Sequence, residues 1–239
     1  MLYCAVIRFR AAFGVLFLFA SGMASAFCAE PHYLSNIDLA MLLLPPPPEA
    51  TSAEGRAELS VVQSAQKERR LLDPLSVQLE QHVSIFTFAP VIGSFLVTNR
   101  FPKTEWFFRR VWQDTDLAVY TAKDYWERPR PYLVDTNLLE GLPDKFAGGY
   151  PSGHSTIATV FASLLAELFP DRKDPILAKG REIGWHRVVL GRHYPSDIYA
   201  GRVLGQRIAQ ELKRSREFRR DFKEVRLEIT AWMRTNGAQ

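Results

Sequence analysis

A chain of 239 residues, 47% hydrophobic and 23% charged, carries enough apolar material for a core and is not disordered as a whole. Its formal charge of +4 is too evenly balanced between signs to suggest nucleic acid as the main partner. The length allows one large domain or two small ones.

The first 26 residues stand apart. Arg8 and Arg10 precede the apolar stretch "AAFGVLFLFASGM", and Ala24-Ser25-Ala26 offers small residues at a cleavage point. This is the three-part pattern of a secretory signal peptide, with an apolar core too short for a good spanning helix. An uncleaved anchor is the alternative. Phe27 precedes Cys28 where a lipoprotein cysteine wants Gly or Ala, which disfavours lipidation there. Cleavage removes Cys4, leaves Cys28 without an intrachain disulfide partner, and lowers the formal charge to +2 by taking Arg8 and Arg10. No later stretch has the uninterrupted apolar length of a span, so no stable membrane insertion is expected after cleavage.

Residues 27–53 read as an extended arm, because Pro45 to Pro48 must adopt polyproline II. From Glu54 the hydrophobic pattern turns helical and stays so. Residues 54–72 form an amphipathic helix closed by Asp73-Pro74. Residues 75–97 are more apolar, with Pro90 and Gly93 as a kink or break. Pro102 and Pro129 bracket the next helix. Residues 132–149 read as a loop rich in Gly, Asp and Asn. Helices follow from His154 to about Phe169, over 174–191 with Gly180 and Gly184 as punctuation, from Tyr194, and from Arg216. The basic run near the C-terminus is interleaved with acids, as on a solvated helix face. Neither paired strands nor an internal repeat is visible. The predicted fold is all-α, a single-domain helical bundle over 54–239.

Three clusters of basic residues and histidine lie along this region. "KDYWERPRP" puts six residues between Lys123 and Arg130-Pro131. "PSGH" fills 151–154, just before a long apolar run. "RVVLGRHYPSD" puts five residues between Arg187 and His193, and three between His193 and Asp197. A lone Lys, Arg or His is usually a surface or structural residue. "PSGH" asks for more: Ser152 suffices as a helix cap, which leaves His154 unexplained.

In this order and spacing the clusters resemble the signature of the phosphatidic-acid-phosphatase type 2 (PAP2) / vanadium haloperoxidase superfamily: Lys-x6-Arg-Pro, Pro-Ser-Gly-His, and Ser-Arg-x5-His-x3-Asp. "LLLPPPP", "QDTDLAVYTAKDYWERPRP", "GGYPSGHST" and "REIGWHRVVLGRHYPSDIYAGRVLG" resemble, more narrowly, the bacterial class A nonspecific acid phosphatases. The similarity runs over essentially the whole mature chain. It implies a helical bundle of that type, a periplasmic location that suits the leader, a metal-independent acid phosphatase of broad monoester range with no cofactor, and association into a homodimer.

The residues fit that chemistry in their own right. Charge spreads over the phosphoryl oxygens in the transition state and calls for cations around them. Lys123, Arg130 and Arg187 supply three, and an Arg fork can hold two oxygens at once. The amides of Ser152 and Gly153 are expected to face an anion at a helix N-terminus, with the Ser152 hydroxyl beside them. Gly153 lets the backbone come close. The resemblance implies His193 as nucleophile, forming a phosphohistidine. Asp197 would fix its tautomer, and His154 would protonate the leaving alcohol and then activate water. A phosphohistidine can pass to water or to another alcohol, so the balance of hydrolysis and phosphotransfer stays open.

One position departs from the pattern. His186 stands where the motif has Ser. It is carried as a candidate fourth phosphate contact, with packing beside Trp185 as the alternative. Arg128 is expected to be solvent-exposed, and His32 and His82 structural or exposed. Tyr150 and Tyr194 are expected to line the pocket or pack in the core. No His, Cys, Asp or Glu cluster has the spacing of a zinc or two-metal site. Three other functions use similar residues: a lipid phosphate phosphatase, a vanadate-dependent haloperoxidase, and a phosphate-binding protein without catalysis.

Overall fold

Prolines and side-chain caps set the helix starts. In the computed structural model, α1 (Ala53–Ala65) is capped by Ser52, whose Oγ accepts the Gly55 amide at 2.9 Å. Asp73 caps α2 (Pro74–Leu79), accepting the Ser76 amide at 2.9 Å. α3 (Ala89–Ile92) is a single turn. α4 (Pro102–Trp126) opens with proline at N1 and ends at Glu127, which takes the left-handed conformation just before Pro129. α5 (Pro131–Val134) is short. α6 (Gly153–Leu168), α7 (Lys173–Val189), α8 (Pro195–Leu212) and α9 (Arg216–Asn236) complete the order. No strand occurs among the described residues, which are 31–35, 44–138 and 148–236. The fold is all-α, as expected. The leader at 1–26, part of the arm at 36–43 and the loop at 139–147 lie outside the described residues.

The expected helix over 54–72 ends earlier and runs on as a 3-10 segment, Gln66–Leu71. The apolar stretch 75–97 is more broken than one kink. It contains α2, two 3-10 turns (Glu80–His82 and Ile85–Phe88) and α3, and it stops at Gly93. Gly93 has φ near 150°, a conformation costly for any other residue. Gly180 and Gly184 do not interrupt α7. They are contact points, with a built Cβ at Gly180 lying 2.8 Å from Ala162 Cβ.

α6 is the centre of the bundle. Ile157, Ala158, Val160, Phe161, Leu164 and Leu165 are all buried, so it is apolar almost all round. Each large side chain fully buried here contributes about 1.5–3 kcal/mol. α6 packs along α7 and α8 and also touches α4. The α8 contact is very close: a Cβ at Gly201 or Gly205 would sit 2.7 Å from the carbonyl oxygens of Ser152 and Thr156. Any side chain there would push α8 off the N-terminus of α6. α9 lies on α4 through Phe107, Phe218 and Phe222, joined by Tyr33. Asp114 of α4 holds the arm by accepting the amides of His32, Tyr33 and Leu34 at 2.6–2.9 Å. The described residues fall in one compact unit, Pro31–Gln239. No helix among them is long and apolar enough to cross a membrane.

This packing brings four helix ends together. The last turn of α4 carries Lys123 and the last turn of α7 carries Arg187. The first turn of α6 carries His154, and the first turn of α8 carries Asp197 with His193 just before it.

Candidate active site

His193 and Asp197 are linked by the way α8 begins. Asp197 is the third residue of the helix, and its Oδ2 reaches back to accept the Tyr194 amide at 2.8 Å. The same oxygen lies 3.3 Å from Nδ1 of His193. The His-x3-Asp spacing thus places an imidazole one residue ahead of a helix cap, within reach of the capping carboxylate. Nε2 of His193 lies 3.1 Å from Nη1 of Arg130. A guanidinium only donates, so Nε2 carries the lone pair and Nδ1–H points to Asp197. Burial, then Arg130, Lys123 and Arg187, push the His193 pKa well below the ordinary histidine value. The ring is held neutral, with its Nε2 lone pair turned to Arg130.

Asp197 is wholly buried, and burial pushes its carboxyl up to about 6 against the pull of Arg128. Arg128 was expected in solvent; it is instead only 6% exposed. Its Nη1 donates to Asp197 Oδ1 at 2.6 Å and to Ser196 Oγ at 2.7 Å. Its Nη2 donates to Glu58 Oε2 at 2.8 Å, and its guanidinium stacks 4.2 Å from the Tyr194 ring. Glu58 in turn accepts the Ser196 amide at 2.6 Å. The arm closes over this network, with Tyr150 donating its hydroxyl to the Pro45 carbonyl at 2.8 Å. Tyr150 and Tyr194 are therefore packed, both nearly fully buried. The sequence did hold one signal for Arg128: in extended backbone, residues two apart point to the same side, so Arg128 and Arg130 share a face. Glu58, seventy residues upstream of Arg128, has no local signal.

Arg130, Lys123 and Arg187 all act on the His193 ring. Lys123, Arg130 and Arg187 are each at least 94% buried. Lys123 Nζ donates to the Gly148 carbonyl at 2.7 Å, and Arg130 also reaches the Arg192 carbonyl. His154 is half-buried at the second position of α6. Burial, then Arg187, Arg130 and Lys123, push its pKa well below the ordinary value, against a bond from Nε2 to the Gln81 carbonyl.

Two expectations change. The Ser152 amide does not face an anion. It is committed to the Asp197 carbonyl at 3.0 Å, because α8 packs tightly there. The Ser152 hydroxyl oxygen caps the Ser155 amide at 3.4 Å, with Gly153 at N1. His186 does not turn to the cations. Its Nδ1 meets Glu80 Oε2 at 2.8 Å. Glu80, Glu182 and His186 lie close enough to share a metal ion. Lys179 already bridges the two carboxylates there, at 2.9 and 2.8 Å.

The chain is 29% identical to the acid phosphatase of Zymomonas mobilis over 229 residues, covering 89% of this chain and 86% of that one. It is 43% identical over 84 residues to the lipid A 1-phosphatase of Rhizobium etli, 33% of this chain and 35% of the other. Among solved structures it is similar in fold to a bacterial vanadium-dependent iodoperoxidase, with a TM-score of 0.57 at 17% identity, over 77% of this chain and 55% of that one. Residues 115–221, which hold every motif at the four helix ends, match the PAP2 superfamily. That stretch is a PAP2 superfamily domain.

Proposed function

We propose that this protein is an acid phosphatase of broad monoester range, acting through a phosphohistidine on His193. The observation that carries this reading is the pair of contacts on the His193 ring: Asp197 at Nδ1, and an arginine donor at the Nε2 lone pair. A phosphate-binding protein needs cations, but no neutral imidazole held with its lone pair among them.

In the proposed sequence, Lys123, Arg130 and Arg187 take the phosphate oxygens. Arg130 shifts from Nε2 to an oxygen and releases the lone pair. Nε2 attacks phosphorus as the bond to the leaving oxygen breaks, and the imidazolium is stabilised by Asp197. His154 gives a proton to the departing alkoxide and takes one back from the attacking water. The N–P bond then breaks, returning His193 and releasing inorganic phosphate. An alcohol in place of water gives phosphotransfer. The three cations neutralise the developing charge, so no metal is needed. The leader pattern supports export to the periplasm. The local match to a lipid A phosphatase supports a second reading, in which the same cradle takes a lipid-borne phosphate.

The pH dependence follows from the signs. Productive free enzyme has His193 neutral and His154 protonated. Both pKa values are pushed down, so His193 stays neutral into acid while His154 loses its proton early as pH rises. A bound phosphate brings negative charge to His154 and raises it again. The expected result is hydrolysis of p-nitrophenyl phosphate with an acidic optimum, and kcat/KM falling on the alkaline side before kcat does. EDTA should leave activity intact, and vanadate should inhibit. An alkaline optimum, or activity lost in EDTA and restored by a divalent ion, would contradict the reading. Phosphatidate turned over in preference to soluble monoesters would favour the lipid reading, and halide oxidation with peroxide the haloperoxidase.

A further inference from the structure

Glu80 is a carboxylate only 1% exposed, on a 3-10 turn that precedes no motif. Its Oε2 meets His186 Nδ1 at 2.8 Å, and its Oε1 accepts Lys179 Nζ at 2.9 Å. Lys179 and His186 are seven residues apart on one face of α7. Burial would push Glu80 up, but His186 and Lys179 outweigh it and leave the group below its usual value. A charged peg therefore joins the turn 80–82 to α7. His186, the residue that departs from the superfamily pattern, is half of its socket.

The neighbouring residue gives the peg a use. The Gln81 carbonyl lies 3.3 Å from Nε2 of His154. A carbonyl only accepts, so Nε2 keeps its proton in either charge state of the ring. The proton that can leave is the one on Nδ1. The turn thus decides which ring nitrogen can act as the acid.

We propose that Glu80 is a positioning residue for the leaving-group acid: anchored by Lys179 and His186, it holds the Gln81 carbonyl against His154 and leaves Nδ1 as the proton donor. This rests on the reading of His154 as that acid. Without the peg the turn is released from α7, and His154 can rotate away or change tautomer. The cations and His193 are untouched, so phosphate binding and attack on phosphorus remain.

The test compares p-nitrophenyl phosphate, whose leaving group needs little protonation, with glycerol phosphate, whose alkoxide needs it. General acid catalysis is worth about 10²–10⁴-fold. Glu80→Ala should therefore lower kcat/KM, which reports the step in which the leaving group departs, at least about tenfold more for glycerol phosphate than for p-nitrophenyl phosphate. His154→Ala should separate the two substrates further, and adding Glu80→Ala to it should not widen the separation. A purely structural role would reduce both substrates alike. Equal losses on both substrates in Glu80→Ala, with His154→Ala still separating them, would overturn the role of Glu80 and leave the acid reading standing. No separation in His154→Ala would overturn both. If Glu80→Ala does not fold, Glu80→Gln takes its place in the same comparison: it keeps the volume and removes the charge that anchors Lys179.

Discussion

His193→Ala should lower kcat by at least about four orders of magnitude and leave the fold in place. The loss is that large because the residue carries the covalent step. The three cations can still bind phosphate, but the imidazole that Asp197 orients towards them is gone. Water would then have to attack directly, helped only by charge stabilisation. The fold should survive because His193 sits on the short link before α8, outside the apolar core. The Asp197–Arg128 and Asp197–Tyr194 bonds do not pass through it. Thermal melting together with steady-state kinetics checks both parts. Binding of vanadate or phosphate should weaken far less than kcat falls.

Arg128→Met should be the most destabilising single change in the site, and it should slow catalysis without touching substrate. Arg128 bridges two carboxylates, the wholly buried Asp197 and the half-buried Glu58. Removing one partner of a buried ion pair typically costs about 3–5 kcal/mol, because the other charge stays behind. In a domain of this size that is a fall in Tm of roughly 6–20 °C. Asp197 then loses the bond that fixes Oδ1 and can rotate away from His193. A misplacement of that kind costs about a hundredfold in kcat, with KM changed much less. Arg128→Lys should not rescue, since a single ammonium cannot bridge Glu58, Ser196 and Asp197 as a planar fork does. An unchanged Tm with near-normal kcat would return Arg128 to the surface role first expected for it.

Where the sequence was legible, the signals were local. Pro102 and Pro129 mark α4 because proline is tolerated at a helix start and ends the helix before it. The length and apolar character of α6 follow from an uninterrupted run after a serine cap. The placing of Lys123, Arg187, His154, His193 and Asp197 at four helix ends, and of Arg130 just before α5, follows from their motif positions. What stayed hidden was set by distant partners. Arg128 looks like a surface residue until Glu58 of α1 is beside it. The Ser152 amide looks free at a helix N-terminus until α8, drawn close by Gly201 and Gly205, brings the Asp197 carbonyl onto it. His186 has two plausible environments in the sequence and a third in the structure, because its partner Glu80 is 106 positions away. The broken stretch 75–97 was read as nearly helical because apolar content alone cannot distinguish one helix from successive 3-10 turns.

The central claim is that the phosphoryl group passes through Nε2 of His193. The most direct measurement is to quench the enzyme with alkali during turnover of p-nitrophenyl phosphate and map the modified residue by mass spectrometry. Phosphohistidine survives alkali and is lost in acid, unlike a phosphoserine. One phosphoryl group is expected on the peptide containing His193, acid-labile, lost once the substrate is exhausted, and absent in His193→Ala. A phosphoryl group found on another residue, or full turnover by His193→Ala with no enzyme-bound phosphate, would contradict it.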